Sequence, residues 1–69
     1  MYSVKKEEMS KLREGYNIKE LSDGLEMSSK YVYAVLSGAR QCSKKTAAIL
    51  VVAMGKKIDE VDKYFEKIN

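Results

Sequence analysis

Residue types that commonly carry catalysis or bind metals are scarce in this 69-residue chain. It has one Cys and no His, which excludes an internal disulfide and leaves Cys42 without a second zinc ligand or a histidine base. Asp59, Glu60 and Asp62 lack the glycine and the spacing of a calcium-binding loop. We therefore interpret Cys42 as incidental and predict no enzyme activity, no cofactor and no metal site.

Long apolar segments are also missing. The longest apolar run, residues 47–54, has eight residues, whereas a helix needs about 20 to cross a bilayer. The N-terminus has no apolar run of the length found in secretion signals. Together with the single Cys, these absences predict a protein of the reducing cytoplasm that does not enter a membrane.

Proline is absent, and β-branched residues do not alternate with polar ones as they would in a half-exposed strand. Asn17, Ser28 and Ser43 each precede apolar residues at helical spacing and are good helix N-caps. Ser3 can cap an earlier helix, and Asp59 suits the first turn of a last one. We predict one all-α domain over residues 1–69, with five helices at residues 4–14, 18–24, 29–37, 44–54 and 58–68.

The net charge of +3 is modest, but the charges are segregated along the chain. All ten acids lie within residues 7–26 or 59–66, and residues 27–58 contain six lysines and arginines and no acid. Such segregation is suited to binding a polyanion such as nucleic acid. The alternative is a solvated basic surface without a ligand.

The third predicted helix has two distinct faces. Val32, Val35 and Leu36 recur at helical spacing and are predicted to face the core. Tyr31 lies near the boundary between the faces. The opposite face carries polar, aromatic and small residues: Ser29, Lys30, Tyr33, Ala34 and Ser37.

Residues 17–40, NIKELSDGLEMSSKYVYAVLSGAR, together with AMG at 53–55 and IDEV at 58–61, resemble the helix-turn-helix domain of phage repressors and Cro proteins. The resemblance covers about residues 12–65, with the motif itself at about 17–38. Gly38 and Arg40 match the Gly-x-Arg that follows the reading helix in this family, and Ser22 is the small residue where two helices cross. The resemblance implies a compact domain of the lambda-repressor-like type, whose second motif helix lies in the major groove of DNA.

The resemblance also implies DNA contacts by position. Four residues of the third helix are implied to face the bases: Ser29, Lys30, Tyr31 and Ala34. Lysine can donate to guanine acceptors, and alanine can meet a thymine methyl. The implied phosphate contacts are Ser28, Tyr33, Ser37, Arg40 and Lys44, with Lys19 as a weaker candidate. For Tyr31 and Tyr33, partial packing against neighbouring helices is the alternative.

The chain departs from the family at the turn between the two motif helices. The family usually has Gly where this chain has Glu26, so either Glu26 takes a left-handed conformation or Gly24 makes the turn. The link between the first and second helices is also shorter than is usual in the family. The resemblance therefore leaves the role of Arg13 open. Arg13 and Lys11 could reach phosphates, but nothing in the sequence requires it, and we interpret the first helix as a packing helix with a solvated charged face.

The fourth and fifth predicted helices are the candidate partner surface. Ile49 and Val52 lie where the family typically has polar residues. They either form an exposed apolar patch or are covered by the fifth helix. Tyr64, Phe65 and Ile68 are either core residues or dimer contacts.

These observations favour a small phage-type transcriptional regulator of lysis or lysogeny in the cytoplasm of a bacterial host. It would bind a pseudo-palindromic operator in double-stranded DNA as a homodimer, through its third helix. The alternative is a protein-binding modulator, such as an anti-repressor or antitoxin, built on the same scaffold. Such a modulator would hold its partner protein with the fourth and fifth helices.

Overall fold

The computed structural model describes residues 1–68. Their elements in chain order are a strand β1 (Tyr2–Val4), helices α1 (Lys6–Arg13), α2 (Ile18–Gly24), α3 (Ser29–Ser37) and α4 (Lys44–Ala53), a 3-10 turn (Ile58–Glu60), the short helix α5 (Val61–Tyr64) and a strand β2 (Phe65–Lys67). The domain is mostly helical and measures 29 × 20 × 20 Å along its principal axes. Of the helices formed by residues 1–68, none combines the length and apolar character needed to cross a bilayer.

Side-chain caps fix the starts of the three central helices, as predicted. The Asn17 side chain accepts from an N–H of α2 at 3.1 Å, Ser28 from one of α3 at 3.4 Å, and Ser43 from one of α4 at 3.2 Å. Each such cap contributes about 1 kcal/mol to stability. Gly38 ends α3 with a φ of 88°, a conformation that residues with a Cβ rarely adopt. The predicted bounds of these three helices are confirmed to within one residue.

The all-α prediction is wrong at both ends of the chain. β1 and β2 form an antiparallel sheet in which Ser3 pairs with Glu66 and Val4 pairs with Phe65. Ser3 therefore caps no helix, and α1 begins only after β1. The last helix ends at Tyr64, since the backbone becomes extended at the next residue. Because the pairing joins the two ends of the chain, the helical spacing of the last apolar residues gave no sign of it.

The first strand also pairs with the loop that follows α3. The Tyr2 N–H donates to the Cys42 carbonyl at 2.7 Å, and the Cys42 N–H donates to the Tyr2 carbonyl at 2.9 Å. β1 thus bonds to β2 on one edge and to this loop on the other. The pairing holds the backbone beside Arg40, one of the predicted phosphate contacts.

The core collects apolar side chains from both strands and from four of the helices. Tyr64 and Phe65 belong to it, with 5% and 1% of their surfaces exposed, which supports the core alternative for both and leaves neither side chain open to a partner. α2 packs on α3 and contributes half-buried residues at the edge of the core. The buried apolar residues are Val4, Met9, Val32, Val35, Leu36, Cys42, Ala47, Leu50, Val51, Met54, Val61, Tyr64 and Phe65.

Candidate nucleic-acid interface

The turn between α2 and α3 is made by Glu26. Its φ is 56°, while Gly24 lies within α2, so the first of the two predicted alternatives is confirmed. The Met27 N–H donates to the Ser22 carbonyl at 2.9 Å and closes the turn. The Ser22 side chain is fully buried, and its hydroxyl donates to the Lys19 carbonyl at 3.0 Å, which satisfies the one polar group at this packed position. This turn sets the angle at which α3 leaves α2.

α3 divides into the two predicted faces. Val32, Val35 and Leu36 are buried. On the other side Lys30 is exposed, and 54% of the Tyr33 surface is open to solvent. Ser29 is exposed as well, whereas Ala34 and Ser37 are half-buried. Successive residues of an α-helix are about 100° apart, so Lys30, Ala34 and Ser37 form a single stripe along the open side.

Two tyrosines lie on opposite flanks of that stripe, and each stacks with an arginine. The Tyr31 ring is half-buried, and the guanidinium carbon of Arg40 lies 5.0 Å from its centre. The guanidinium carbon of Arg13 lies 5.5 Å from the centre of the Tyr33 ring. An exposed cation–π contact of this kind is worth about 0.5–1 kcal/mol. Both guanidinium groups are therefore held beside α3.

The other predicted phosphate contacts differ in whether their polar groups already have a partner within the domain. Lys44 is exposed at the first turn of α4. The Ser28 hydroxyl caps α3, and the Ser37 hydroxyl donates to the Ala34 carbonyl at 3.1 Å. The Lys19 ammonium pairs with Asp23 at 3.5 Å, but both side chains are largely exposed, so this pair is weak and can be exchanged for a phosphate.

Arg13 is a cation of α1 whose role the sequence left open. It lies at the C-terminal end of α1, and its contact with Tyr33 connects it to the face of α3. Within residues 1–68, neither Arg13 nor Arg40 has a carboxylate within 4.0 Å. Two unpaired guanidinium groups beside an exposed polar helix provide N–H donors for an anionic backbone.

A second surface lies along α4. Val52 is 50% exposed, so the last helix does not cover it, and Ile49 is half-buried beside it. Ile58 is 67% exposed in the 3-10 turn. These residues line an open, mostly apolar groove of about 660 Å³. Its other lining residues are Leu25, Lys44, Lys45, Ala48, Ala53 and Val61. We call it the α4 groove.

Ile68 was the remaining candidate for the partner surface. It is half-buried and follows β2, and its N–H donates to the Met1 carbonyl at 2.7 Å. It does not line the α4 groove. Its backbone extends the pairing between the two ends of the chain.

Cys42 is the one thiol of the chain, and it is 1% exposed. Burial raises the pKa of this thiol, and the positive charge of the N-terminus only partly opposes that effect. The thiol is therefore protonated at neutral pH, a state in which it is a poor nucleophile. Within residues 1–68, no cluster of three or more His, Cys, Asp or Glu side chains is placed to hold a metal ion.

Comparisons of the chain with protein-family models, with curated proteins and with solved structures gave no match.

Proposed function

We propose that this chain is a sequence-specific DNA-binding regulator of transcription, of the lambda-repressor-like helix-turn-helix type. The observation that carries the proposal is the stripe of Lys30, Ala34 and Ser37 on the open side of α3, in which Lys30 is exposed and the other two are half-buried, with an arginine over a tyrosine ring on each flank. A helix with this arrangement can enter the major groove, which is about 12 Å wide and admits an α-helix. The arginines then lie toward the two phosphate backbones.

Base recognition is assigned to the exposed side of α3. The Lys30 ammonium can donate to the O6 and N7 acceptors of guanine, and the Ala34 methyl can pack against the methyl of thymine. Ser29, at the start of the helix, is exposed and can donate or accept. One good base contact of this kind discriminates against the wrong base by about 1–3 kcal/mol.

Contacts with the DNA phosphates are assigned most of the affinity for DNA. Residues 27–58 carry no acid, so α3, the following loop and α4 present only positive or neutral side chains to an anionic backbone. Each phosphate neutralised by Lys or Arg contributes about −0.9 to the slope of the logarithm of the observed binding constant against the logarithm of salt concentration. Binding of this protein is expected to weaken strongly as salt is added.

A second copy of the chain is assigned as the partner that occupies the α4 groove. Val52 and Ile58 expose apolar surface that self-association would bury. Lys44 and Lys45 line the groove, and so do Ile58 and Val61, which are followed in the chain by the exposed acids Asp59 and Asp62. In a two-fold pair, Lys45 of one copy can face these acids on the other.

Such a pair suits a pseudo-palindromic operator. Half-sites read by two-fold helix-turn-helix dimers are about 34–36 Å apart, one turn of DNA. The longest dimension of the domain is 29 Å, so the reading helices of two copies in contact can lie about one DNA turn apart. The likeness of residues 17–40 to phage repressor and Cro proteins further suggests control of lysis or lysogeny, in the cytoplasm of a bacterial host.

The proposal is tested by selecting duplexes from a randomised 20-base-pair pool with the purified full chain. Binding of the selected duplex and of a scrambled duplex is then titrated at two salt concentrations. Wild type is expected to prefer the selected duplex, whereas Lys30→Ala should bind the two duplexes more equally. If wild type binds neither duplex at low salt, the proposed function is wrong.

The competing function is a protein-binding modulator that uses the α4 groove for a different protein. The open apolar walls of the groove favour this second candidate. It predicts that the full chain stays monomeric on and off DNA and that no duplex is enriched by selection. A selected duplex bound with one dimer per site would exclude it as the main function.

A further inference from the structure

A small cleft lies between α1 and α3, on the side of Tyr33. Its volume is about 210 Å³, and its lining consists of Lys6, Ser10, Arg13, Leu36 and Ser37. Four of these five residues carry an N–H or O–H donor, and none carries a carboxylate. The cleft is therefore electrostatically suited to an anion.

Three of the donors come from one stripe of α1. Lys6, Ser10 and Arg13 are spaced by four and then three residues, which places their side chains on the same face of the helix. Ser37 of α3 lies across the cleft from them. The sequence shows this spacing, but it does not show that α1 lies beside α3, which depends on tertiary packing.

The two cations of the cleft lie beside α3 and the glycine that ends it. The guanidinium carbon of Arg13 lies over the Tyr33 ring, 5.5 Å from its centre. A cation held by the face of a ring rather than by a carboxylate keeps N–H donors for an oxyanion. The Lys6 side chain passes over Gly38, where its Cε lies 2.8 Å from the position that a Cβ would occupy. Within residues 1–68, neither Lys6 nor Arg13 forms an ion pair.

We propose that this cleft binds a phosphate of the DNA backbone when α3 occupies the major groove, a role that rests on the function proposed above. Arg13 donates two N–H groups to two phosphate oxygens, and Lys6 supplies a second positive charge. The Ser10 hydroxyl donates a hydrogen bond to a phosphate oxygen. The Ser37 hydroxyl now donates to the Ala34 carbonyl at 3.1 Å, and it joins the site by rotating its proton toward the phosphate.

The first test compares Arg13→Ala with Lys11→Ala. Both changes remove one positive charge from α1, but Lys11 lies outside the cleft and beside Glu7 at 4.0 Å. The observed binding constant for the selected duplex is measured at four salt concentrations. Arg13→Ala is expected to reduce the steepness of the salt dependence by about one unit and to weaken selected and scrambled duplexes alike, because a phosphate contact carries no sequence information. Lys11→Ala is expected to leave the steepness unchanged.

The second test locates the phosphate. Duplexes that carry a neutral methylphosphonate at one backbone position at a time are bound to wild type, to Arg13→Ala and to Arg13→Lys. A methylphosphonate at one position of each half-site should weaken DNA binding by wild type and should have no effect on DNA binding by Arg13→Ala. Arg13→Lys keeps the charge but loses the paired donors, so it should stay sensitive at that position while binding less tightly than wild type. Thermal unfolding of each variant checks that it is folded.

The outcomes separate this site from the function on which it rests. If wild type binds no duplex, the proposed function fails and the phosphate site fails with it. Two results would show that only the phosphate site is wrong while wild type binds DNA. In the first, Arg13→Ala keeps the wild-type salt dependence. In the second, every methylphosphonate that weakens DNA binding by wild type also weakens DNA binding by Arg13→Ala. Should Arg13→Ala not fold, Arg13→Lys decides, and equal affinity of Arg13→Lys and wild type would overturn the site.

Discussion

Arg13 stacks on Tyr33 with its guanidinium carbon 5.5 Å from the centre of the ring, and this contact ties the end of α1 to the open side of α3. Tyr33 is 54% exposed, so its contribution to burying apolar surface is limited. Its ring face is instead a support for a cation. Arg40 and Tyr31 form the matching contact on the other flank of the helix.

Tyr33→Phe and Tyr33→Leu separate the role of the ring from that of the hydroxyl. Phe keeps the aromatic face on which Arg13 lies, whereas Leu removes it. Loss of an exposed cation–π contact of about 0.5–1 kcal/mol predicts a two- to fivefold weaker binding of DNA by Tyr33→Leu. Tyr33→Phe should bind within twofold of wild type in the same titration. If both variants lose the same affinity, the hydroxyl makes the important contact and the ring does not position Arg13.

The local signals in the sequence were sufficient for the central part of the fold. Asn17, Ser28 and Ser43 cap helices because a polar side chain can reach the N–H groups of the first turn directly after it. The two faces of α3 followed from helical spacing alone. Such features depend only on residues a few positions apart, and they place Lys30 on the open side.

Features that depend on distant residues were not predictable in this way. β1 and β2 are three residues each, too short to show an alternating pattern, and they form by pairing the two ends of the chain. Tyr64 and Phe65 fit a helical stripe equally well, although only the first is helical. The stacking of Arg13 on Tyr33 likewise requires α1 to lie against α3, which no local pattern specifies.

Glu26→Gly should stabilise the domain. Glu26 has a φ of 56°, and the left-handed region costs a residue with a Cβ about 1–2 kcal/mol. Glycine relieves this cost, but it also increases the entropy of the unfolded chain, so a net gain of about 0.5–1 kcal/mol is expected. Urea unfolding of the two proteins measures the difference. Glu26→Ala is the control, because it removes the charge but keeps the left-handed penalty, and it should show no such gain.

Stability should fall at alkaline pH because of Cys42. Burial raises the pKa of this thiol in the folded state, so the folded chain holds the proton more tightly than the unfolded chain does. The resulting stability is fully present below the unfolded pKa of about 8.5 and is lost as the pH rises from there toward the folded pKa. Cys42→Ala lacks the titrating group. The free energy of unfolding of wild type minus that of Cys42→Ala should therefore decrease between pH 8 and pH 10, and a constant difference would contradict the prediction.

The α4 groove should determine the oligomeric state. Val52 and Ile58 are 50% and 67% exposed, so a lysine at either position costs little in the isolated domain, whereas in a dimer it would place a charge in an apolar contact. Light scattering without DNA is expected to give a dimer for wild type at high concentration and a monomer for Val52→Lys and Ile58→Lys at the same concentration. Gln41→Lys adds the same charge at an exposed position outside the groove and should behave as wild type. A wild-type chain that stays monomeric both free and on the selected duplex would leave the groove to a different protein and remove the homodimer from the proposed function.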